Sequence, residues 1–401
     1  MDFDHIVIGA GISGLGAAHF AARAGCPTLI LERRNRVGGC INSYHFANCD
    51  EFWTEAGSHT CFNSYGNLIG ILEELEQMPR LTAKAEAPYK LWRDGRRDSV
   101  FAGLHPVEAL IALPRLFRMS KAGASVREYY AAGLGRRNYR DVLGPAFQAL
   151  ICQPPDDYPA ELLFRRKPRR KDVLRKFTMP SGLSEIPAAI ADQPNIEVRT
   201  GQDVAGIVRD GKGYRVQLHD GDERSCRRLT LAVPPDAAGT LLPKELGSAS
   251  AALETVGMAD IDTLLLAFRT ADLAPLPPLA GLIAVDDAFY SAVSRDYLAD
   301  DDYRGFAFHF RPAALDAEAQ INVACHALGA HPRDVVESGH VRNRLPALRK
   351  GHQKLIEQID AALAGGSLAI TGNWFFGVSM EDSLTRSRQE LERILGQPAQ
   401  R

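Results

Sequence analysis

Several hallmarks of common functional classes are missing from this 401-residue sequence. Its seven cysteines form no C-x-x-C pair and its eleven histidines form no H-E-x-x-H motif, which argues against a disulfide framework and a metal centre. No apolar run approaches the roughly 20 residues of a membrane-spanning helix. The 47 Lys and Arg residues nearly balance the 49 Asp and Glu residues, so no charge asymmetry indicates a nucleic-acid partner. We therefore expect a metal-free protein that acts on a small molecule.

The N-terminus also lacks the features of a signal peptide. Asp2 and Asp4 precede a short apolar run, without a basic region or a small-residue cleavage site. Together with unpaired cysteines, this predicts a cytoplasmic protein with reduced thiols. The length is too great for one ordinary core and favours two intertwined domains.

A glycine-rich turn lies near the N-terminus between a predicted strand and a predicted helix. The apolar run Asp4–Ile8 is typical of a buried parallel strand, Ile12–Ala24 has helical spacing, and Pro27–Leu31 predicts a second strand. The turn has the order G-x-G-x-x-G, formed by Gly9, Gly11 and Gly14. In that order the first glycine allows a tight turn, the second lets a pyrophosphate approach the backbone, and the third lets helix and strand pack closely.

Glu32 follows the second predicted strand, at the distance where a dinucleotide-binding unit carries its acid. A carboxylate there can accept hydrogen bonds from both hydroxyls of an adenosine ribose. The helix after the turn presents free N–H groups and the positive end of its dipole to the phosphates. Strand, glycines, helix, strand and acid in this order predict a dinucleotide site.

A second glycine pair follows in the sequence Arg36-Val37-Gly38-Gly39. It offers further amides beside the pyrophosphate, and Arg36 can add positive charge. Here the sequence resembles the flavin amine oxidase and protoporphyrinogen oxidase superfamily, whose members follow the FAD-binding β-α-β unit with an R-x-G-G motif. The resemblance implies FAD rather than NAD, and the lack of a recognisable flavin-attachment cysteine motif favours noncovalent binding. The superfamily often continues with arginine, whereas this chain has Cys40.

Two internal segments agree with the resemblance. The segment Glu55-Ala56-Gly57-Ser58-His59 corresponds to a turn that passes the flavin in the superfamily, which makes His59 a weak catalytic candidate. The alternative is a purely structural role, in which His59 is a turn histidine that is hydrogen-bonded to the backbone. The segment Phe177–Ile207 resembles the part of the superfamily chain that returns to the FAD domain, and it implies that Val204 lies against the adenine through its backbone.

The C-terminal segment Leu368–Ser387 resembles the protoporphyrinogen oxidase branch more than the monoamine oxidases. The resemblance implies that a strand over Leu368–Thr371 delivers a G-N turn, Gly372 and Asn373, to the pyrophosphate. It also implies that a helix opens at Gly377, Val378 and Ser379, with N–H groups facing the pyrimidine edge of the flavin. Such a helix end stabilises the negative charge of reduced flavin.

These assignments predict an α/β fold with a Rossmann-like FAD-binding domain built from discontinuous segments and a mixed α+β substrate domain. The FAD domain is predicted from residues 1–80, 195–240 and 350–401. The substrate domain is predicted from residues 81–194 and 241–349, with a helical part near 101–164. Apolar runs between Asp260 and Phe310 fit an antiparallel sheet.

Residues 165–176 carry eight basic side chains in twelve positions. Three interpretations remain open for this run: a guide for an acidic substrate, a peripheral contact with anionic lipid headgroups, and a solvated loop.

The sequence thus predicts an FAD-dependent oxidase or dehydrogenase that oxidises a C–H or N–H bond of an amine or a reduced nitrogen heterocycle, with oxygen as the expected final acceptor. Since the flavin performs the difficult step, no separate nucleophile is expected. A UDP-galactopyranose mutase-like, non-redox flavoenzyme and a flavoprotein with a structural or carrier role remain alternatives. The sequence does not indicate the substrate or the oligomeric state.

Overall fold

The structure is a computed structural model that describes residues 1–396, so the last five residues of the predicted 350–401 segment lie outside the described residues. Its strands, numbered in chain order, are β1 Phe3–Ile8, β2 Thr28–Glu32, β3 Ser43–His45, β4 Trp53–Glu55, β5 Cys61–Phe62, β6 Thr82–Ala83, β7 Tyr89–Arg93, β8 Arg96–Ser99, β9 Lys176–Thr178 and β10 Ile196–Thr200. They continue as β11 Val204–Asp210, β12 Gly213–Leu218, β13 Glu223–Leu231, β14 Gly257–Arg269, β15 Gly281–Ala284, β16 Phe289–Ser294, β17 Tyr303–Phe310, β18 Val335–Ala347 and β19 Leu368–Ile370.

The α-helices are α1 Ile12–Arg23, α2 Gly66–Glu74, α3 Pro106–Leu116, α4 Val126–Leu134, α5 Arg136–Asn138, α6 Gly144–Ile151, α7 Glu185–Ala191, α8 Pro235–Leu241, α9 Gly247–Glu254, α10 Ala317–Leu328, α11 His352–Leu363 and α12 Met380–Leu395. Short 3-10 turns and one π-helical turn, Tyr139–Leu143, connect them. None of the helices within residues 1–396 combines the length and apolar character that crossing a bilayer requires.

The first sheet has the strand order β10-β2-β1-β13-β12-β11, with β19 beside β13. The strands β10, β2, β1, β13 and β19 are parallel neighbours, whereas β12 and β11 are added antiparallel. Its strands come from three separated parts of the chain, 3–32, 196–231 and 368–370. This is the predicted Rossmann-like α/β arrangement, and β1, α1 and β2 lie within about one residue of their predicted bounds.

Helices cover both faces of the first sheet. On one face α1, α2, α7 and α12 share a core, and on the other α8, α9 and α11 do so. Leu183, Ile186 and Ile190 contribute to the core beside α1, although they belong to the predicted substrate segment 81–194. The domain boundaries themselves stay a prediction.

The second sheet has the order β18-β14-β17-β16-β15-β7-β8 and is antiparallel except for the β15–β7 pair. Side chains along β14 alternate between two cores, as the two-residue period of a strand requires. Leu264, Leu266 and Phe268 pack towards α10, whereas Leu265 and Ala267 pack against the β3–β4 hairpin. This hairpin follows β2 in the chain and therefore connects the second sheet to the glycine-rich end of the first.

Candidate functional site

The first glycine turn joins β1 to α1, and its three glycines are required for different reasons. Gly9 has a φ of +100°, and a Cβ built on it would lie 2.5 Å from the Ala232 carbonyl oxygen. A Cβ at Gly14 would lie 1.9 Å from the Gly9 oxygen. Gly11, which caps α1, has an ordinary φ of −72°, and a Cβ there would meet nothing nearer than the Gly39 Cα at 4.0 Å. The fold requires the first and third glycines, whereas the space over Gly11 is open.

The second glycine turn packs directly against the first. The Gly38 amide donates to the Ala10 carbonyl at 2.8 Å, and Gly38 forms an isolated parallel bridge with Gly11. Gly38 and Gly39 both have positive φ, which favours glycine. The two turns therefore present their backbones side by side at the end of β1.

Arg36 has a structural role in this second turn. Its half-buried guanidinium donates to the carbonyl oxygens of Val37, Gly39 and Ile41 at 2.9–3.2 Å. Burial lowers the pKa of Arg36 from its usual value. The side chain holds the turn closed, and its contact with a phosphate stays a prediction.

Cys40 occupies the position where the superfamily often has arginine. Its thiol pKa is raised by burial, and its carbonyl oxygen accepts the Ser58 amide at 3.3 Å. A Cβ on Gly57 would lie 2.1 Å from that oxygen. Cys40 thus connects the second glycine turn to the turn that contains His59.

Glu32 lies at the end of β2 and is 8% exposed. One carboxylate oxygen accepts the Ala10 amide at 2.8 Å and the other accepts the Arg34 amide at 2.9 Å. Each oxygen retains a lone pair, since a carboxylate can accept about four hydrogen bonds. Glu32 both fixes the glycine turn and remains able to bind a ribose.

Val204 begins β11 near the same sheet end. The Gln202 amide donates to the Glu32 carbonyl at 2.9 Å, and the Gly201 amide donates to the Arg34 carbonyl at 3.1 Å. Val204 itself is buried and pairs with Leu218. Its backbone lies two residues beyond Gln202, and the contact with an adenine stays a prediction.

The C-terminal turn with Gly372 and Asn373 follows β19. It is positioned by the Thr371 amide, which donates to the Leu231 carbonyl at 2.9 Å, and by Arg386, which donates to the Ile370 carbonyl at 3.1 Å. The Arg386 guanidinium is 3% exposed and lies 3.9 Å from the centre of the Phe375 ring. This buried arginine holds the turn, and no sequence motif identified it.

The last helix begins later than the sequence predicted. Gly377 has a φ of +132°, so it cannot open a helix, and α12 starts at Met380 with Ser379 as its N-cap. The Ser379 hydroxyl accepts the Asp382 amide at 3.1 Å. Gly377 and Val378 therefore precede the cap of the helix and are not part of its first turn.

The N-terminus of α12 contains a cation that the sequence analysis had not placed there. The Lys167 ammonium lies 2.7 Å from an Asp382 carboxylate oxygen and 3.1 Å from the Ser379 hydroxyl. Lys167 belongs to the basic run 165–176, whose Arg170 also pairs with Glu73 and Asp172. Part of the run is therefore used in internal ion pairs.

Side-chain hydrogen bonds join the N-terminal and C-terminal parts of the site. The Ser387 hydroxyl of α12 donates to the Ser13 carbonyl in α1 at 2.7 Å and lies 2.8 Å from the Thr371 hydroxyl. A Cβ on Gly16 would lie 2.3 Å from Leu384. As a result the first glycine turn, the G-N turn and the start of α12 are assembled around one pair of packed helices.

His59 lies in a polar cluster with Thr60, Lys84 and Tyr297. Its Nδ1 is 3.0 Å from the Thr60 hydroxyl, and the Lys84 ammonium donates to the His59 carbonyl and, at 2.9 Å, to the Thr60 hydroxyl. Lys84 also lies 3.2 Å from the centre of the Tyr297 ring. Burial, with the nearby Lys84 charge, lowers the pKa of His59 to about 3.

Lys84 and Tyr297 were not found from the sequence because neither lies in a motif. Burial lowers the pKa of Lys84 to about 7, so its amine titrates in the neutral range. The Tyr297 hydroxyl is buried without a hydrogen-bond partner in the described residues. An amine and an unsatisfied phenol beside His59 are a polar surface that a ligand can bind.

Glu55 lies next to this cluster and is fully buried. Its carboxylate accepts the Leu183 amide at 2.7 Å and the Ser43 hydroxyl at 3.0 Å. Burial raises its pKa to about 7 despite these donors. Glu55 connects the hairpin to the segment that leads into α7 and thereby positions the turn with His59.

The residues present fit a dinucleotide flavin. Two facing glycine turns leave open space over Gly11, an acid with free lone pairs lies beside them, and the strand that leads into the G-N turn is held by α12 through Arg386 and Ser387. The Trp374 indole N–H next to Asn373 is buried without a partner in the described residues. These features provide backbone donors for phosphates, an acceptor for a ribose and unpaired polar groups near the flavin end.

Comparison with known proteins agrees with this geometry. Residues 7–75 match the NAD(P)-binding Rossmann-like domain, and residues 114–305 match the flavin-containing amine oxidoreductases. A protoporphyrinogen oxidase from Bos taurus is 22% identical over 98% of both chains. A 15-cis-phytoene desaturase from Synechococcus elongatus is 33% identical over 20% of this chain, and the match spans only 17% of the desaturase.

Two solved structures share the fold over almost the whole chain. A protein from Exiguobacterium sp. 255-15 described as a protoporphyrinogen oxidase has a TM-score of 0.79 at 17% identity, covering 99% of this chain and 100% of that one. A reduced UDP-galactopyranose mutase has a TM-score of 0.77 at 16% identity, covering 99% and 96%. At these identities the structural likeness shows the fold alone.

Proposed function

We propose that this chain, which matches the flavin-containing amine oxidoreductases over residues 114–305, is an enzyme of that superfamily that oxidises a C–H or N–H bond of an amine or a reduced nitrogen heterocycle. The acceptor in this proposal is noncovalently held FAD, reoxidised by oxygen.

The observation that carries the proposal is the convergence of three distant segments on one sheet end. The glycine turns after β1 and β2 meet the G-N turn after β19, and Ser387 hydrogen-bonds to both Ser13 and Thr371. Open space over Gly11 and the free lone pairs of Glu32 suit the pyrophosphate and ribose of a dinucleotide.

FAD supplies the two-electron acceptance in such a reaction. The chain itself must hold the substrate, orient it and exclude water. Lys84, His59 and Tyr297 are the polar groups we assign to that task, because they form a partly buried cluster at the turn expected to pass the flavin. At pH near 7 the Lys84 amine exists partly neutral, so it can hold or accept a proton from a bound amine.

Two alternative functions are distinguished by the experiment described below. A UDP-galactopyranose mutase shares the fold, but its likeness extends to the fold alone, whereas the flavin-containing amine oxidoreductase pattern matches the sequence over residues 114–305. A carrier or structural flavoprotein would use the same cofactor site without the polar cluster.

The basic run 165–176 keeps its three interpretations. Lys167 and Arg170 are committed to internal ion pairs, so the exposed cations that an acidic substrate or an anionic headgroup would meet are Arg165, Arg166, Arg169, Lys171 and Arg175. A cytoplasmic location with a peripheral membrane contact stays part of the proposal.

The test follows the transfer of electrons from the substrate to the flavin and from the flavin to oxygen. The purified holoprotein is mixed without oxygen with a panel of amines and porphyrinogens, and a substrate is expected to bleach the flavin absorbance. Admission of air should restore the colour with formation of hydrogen peroxide. Isomerisation of UDP-galactopyranose only after dithionite reduction, without net electron transfer, would assign the protein to the mutases instead. A flavin that no substrate reduces or engages would favour the carrier role.

A further inference from the structure

Three polar side chains lie in a row across the second sheet. Thr263 of β14, His309 of β17 and Ser291 of β16 are directly opposed in register, and residues opposed in this way point to the same face of a sheet. Val341 of β18 and Ile283 of β15 continue the row on either side. We refer to Thr263, His309 and Ser291 as the polar row, which thus lies between two apolar side chains.

Two different parts of the chain cover this face of the sheet. Leu265 and Ala307, each two residues along the strand from a member of the polar row, pack against the β3–β4 hairpin. On the other side, the Ser291 hydroxyl donates to the Ala149 carbonyl of α6 at 3.3 Å. His309 therefore lies where the part covered by the hairpin adjoins the part covered by α6.

The proton on the His309 ring can be assigned from its neighbours. The Asn343 side-chain amide donates to the Ala56 carbonyl at 2.8 Å and to the Thr263 hydroxyl at 3.4 Å. Because the Thr263 oxygen accepts there, its own proton is free to donate to Nδ1 of His309, 3.2 Å away. Burial lowers the pKa of His309 to about 4, so the ring is neutral near pH 7. The single ring proton therefore lies on Nε2, which is a donor.

This Nε2–H has no acceptor within residues 1–396, although His309 is only 6% exposed. The nitrogen retains some accessible surface, so a ligand can reach it. A nearly buried donor without a partner is unusual, since buried polar groups are normally hydrogen-bonded. After burial and the Lys84 charge, His309 also contributes to the lowered pKa of His59, so the two rings are close. The unpaired donor thus lies beside the cluster of His59, Lys84 and Tyr297.

We propose that the Nε2–H of His309 binds a carbonyl oxygen of the molecule held at the cluster of His59, Lys84 and Tyr297. A neutral ring between apolar side chains suits an uncharged acceptor, because nothing in the polar row compensates a full negative charge. This inference rests on the proposed function, which assigns the cluster to the substrate. It narrows the substrate to an amine or a reduced heterocycle that also carries a carbonyl group, and it makes His309 a specificity-determining residue.

The test uses the holoprotein and two probes of the same shape, acetophenone and α-methylstyrene, which has a CH₂ group in place of the carbonyl oxygen. Equilibrium dialysis gives the ratio of their affinities, and this ratio should shift by about tenfold against acetophenone in His309→Leu. His309→Gln keeps a side-chain N–H donor and should retain most of the wild-type ratio. His340→Leu, at an exposed histidine of β18, is the matched control and should keep the ratio unchanged.

NMR of the wild-type holoprotein with ¹⁵N-labelled histidine tests the donor without any substitution. The ring nitrogens of His309 should show the Nε2–H tautomer, and its proton signal should move with acetophenone and not with α-methylstyrene. The proposal is overturned if the ring proton lies on Nδ1, if acetophenone leaves the signal in place, or if His309→Leu keeps the wild-type affinity ratio. Neither measurement involves turnover. A panel of amines and porphyrinogens that fails to reduce the flavin would instead overturn the proposed function.

Discussion

The glycines of the candidate site show at the residue scale how packing can be separated from ligand binding. Gly9 and Gly14 would overlap backbone atoms if they carried a Cβ, so the fold itself excludes other residues there. Gly11 has an ordinary φ and open space, so nothing in the protein requires glycine at this position. A ligand that approaches the backbone is the remaining physical reason for it.

Gly11→Val should therefore yield a folded protein that does not retain FAD. The valine side chain occupies the space over the turn while its backbone angles remain allowed. Visible flavin absorbance after gel filtration measures retention, and circular dichroism checks the fold. Gly70→Val, at a glycine in α2 with nothing within 4 Å, is the control and should stay yellow. Full flavin occupancy in Gly11→Val would refute the phosphate-loop assignment.

Lys84→Met should flatten the pH dependence of flavin reduction. The Lys84 pKa is lowered to about 7 by burial, so in the wild type its amine loses a proton as the pH rises through neutrality. Methionine keeps the length of the side chain but does not titrate. The rate of anaerobic flavin reduction, measured from about pH 6 to 8, should lose the part of its inflection near neutrality that the Lys84 amine contributes, whereas any part due to Glu55, whose pKa burial raises to about 7, should remain. Lys354→Met, at an exposed lysine of α11, should keep the wild-type profile. An unchanged profile in Lys84→Met would remove Lys84 from the substrate cluster.

At the scale of elements, the start of α12 depends on a contact between segments more than 200 residues apart. Lys167 pairs with Asp382 in the first turn of the helix and bonds to its cap, Ser379. The Lys167 and Asp382 side chains are 22% and 11% exposed, so the pair is only partly hydrated. Its removal should thus have a larger effect than the loss of a surface ion pair.

Lys167→Met should lower the free energy of unfolding by about 1–3 kcal/mol, because it leaves the Asp382 carboxylate without its cation. Urea denaturation followed by circular dichroism measures this change in the free energy of unfolding. Arg169→Met, at an exposed position two residues away, should change the stability by less than about 0.5 kcal/mol. Equal stabilities of the Lys167→Met variant and the wild type would show that the ion pair contributes nothing.

His5 is fully buried in β1, at the centre of the first sheet, and it makes the stability of the sheet depend on pH. Its ring nitrogens lie 3.0 and 2.8 Å from the hydroxyls of Thr28 and Thr230, so it connects β1 to both neighbouring strands. Burial lowers its pKa from 6.5 to about 3. A lowered histidine pKa favours the folded state above pH 6.5, and this contribution is lost as the pH falls towards 3.

His5→Gln should therefore reduce the acid sensitivity of the fold. In the wild type, protonation of unfolded His5 costs the folded state up to about 4 kcal/mol between pH 6.5 and 3. Urea midpoints at several pH values should fall less steeply for His5→Gln than for the wild type. His340→Gln, at an exposed histidine, should follow the wild type. Parallel curves for His5→Gln and wild type would assign acid sensitivity to other groups, such as His59 and His309, whose pKa values burial also lowers.

The sequence predicted the elements whose signals are local. The β1-turn-α1-β2 unit could be predicted because apolar period, glycine spacing and the acid lie within about 30 residues of each other. The predicted opening of the last helix at Gly377 was wrong, since Gly377 has a positive φ in a turn packed against the Leu162 carbonyl, far away in the sequence, and the helix is capped by Ser379. Lys84 and Tyr297 were missed because only the folded chain brings them together.

At the scale of the whole molecule, the candidate FAD site brings together segments that are distant in the sequence. Its parts come from residues 9–39, 201–204 and 372–382, which surround the end of one sheet and two packed helices. A ligand bound there contacts all three segments only in the folded state. Binding of this kind is thermodynamically coupled to folding, since it lowers the free energy of the native state alone.

FAD should therefore raise the thermal stability of the whole chain in a concentration-dependent way. Free FAD at about 100 times its Kd is expected to stabilise the native state by about 2.7 kcal/mol. Thermal unfolding of flavin-depleted protein, followed by circular dichroism at increasing FAD, measures the shift. FMN should give little shift, because it lacks the adenosine ribose that Glu32 and the segment near Val204 are positioned to bind. Gly11→Val should unfold at the same temperature with and without FAD. A shift with FMN equal to that with FAD would contradict the dinucleotide assignment, because it would show that Glu32 and the glycine turns do not select the adenylate half.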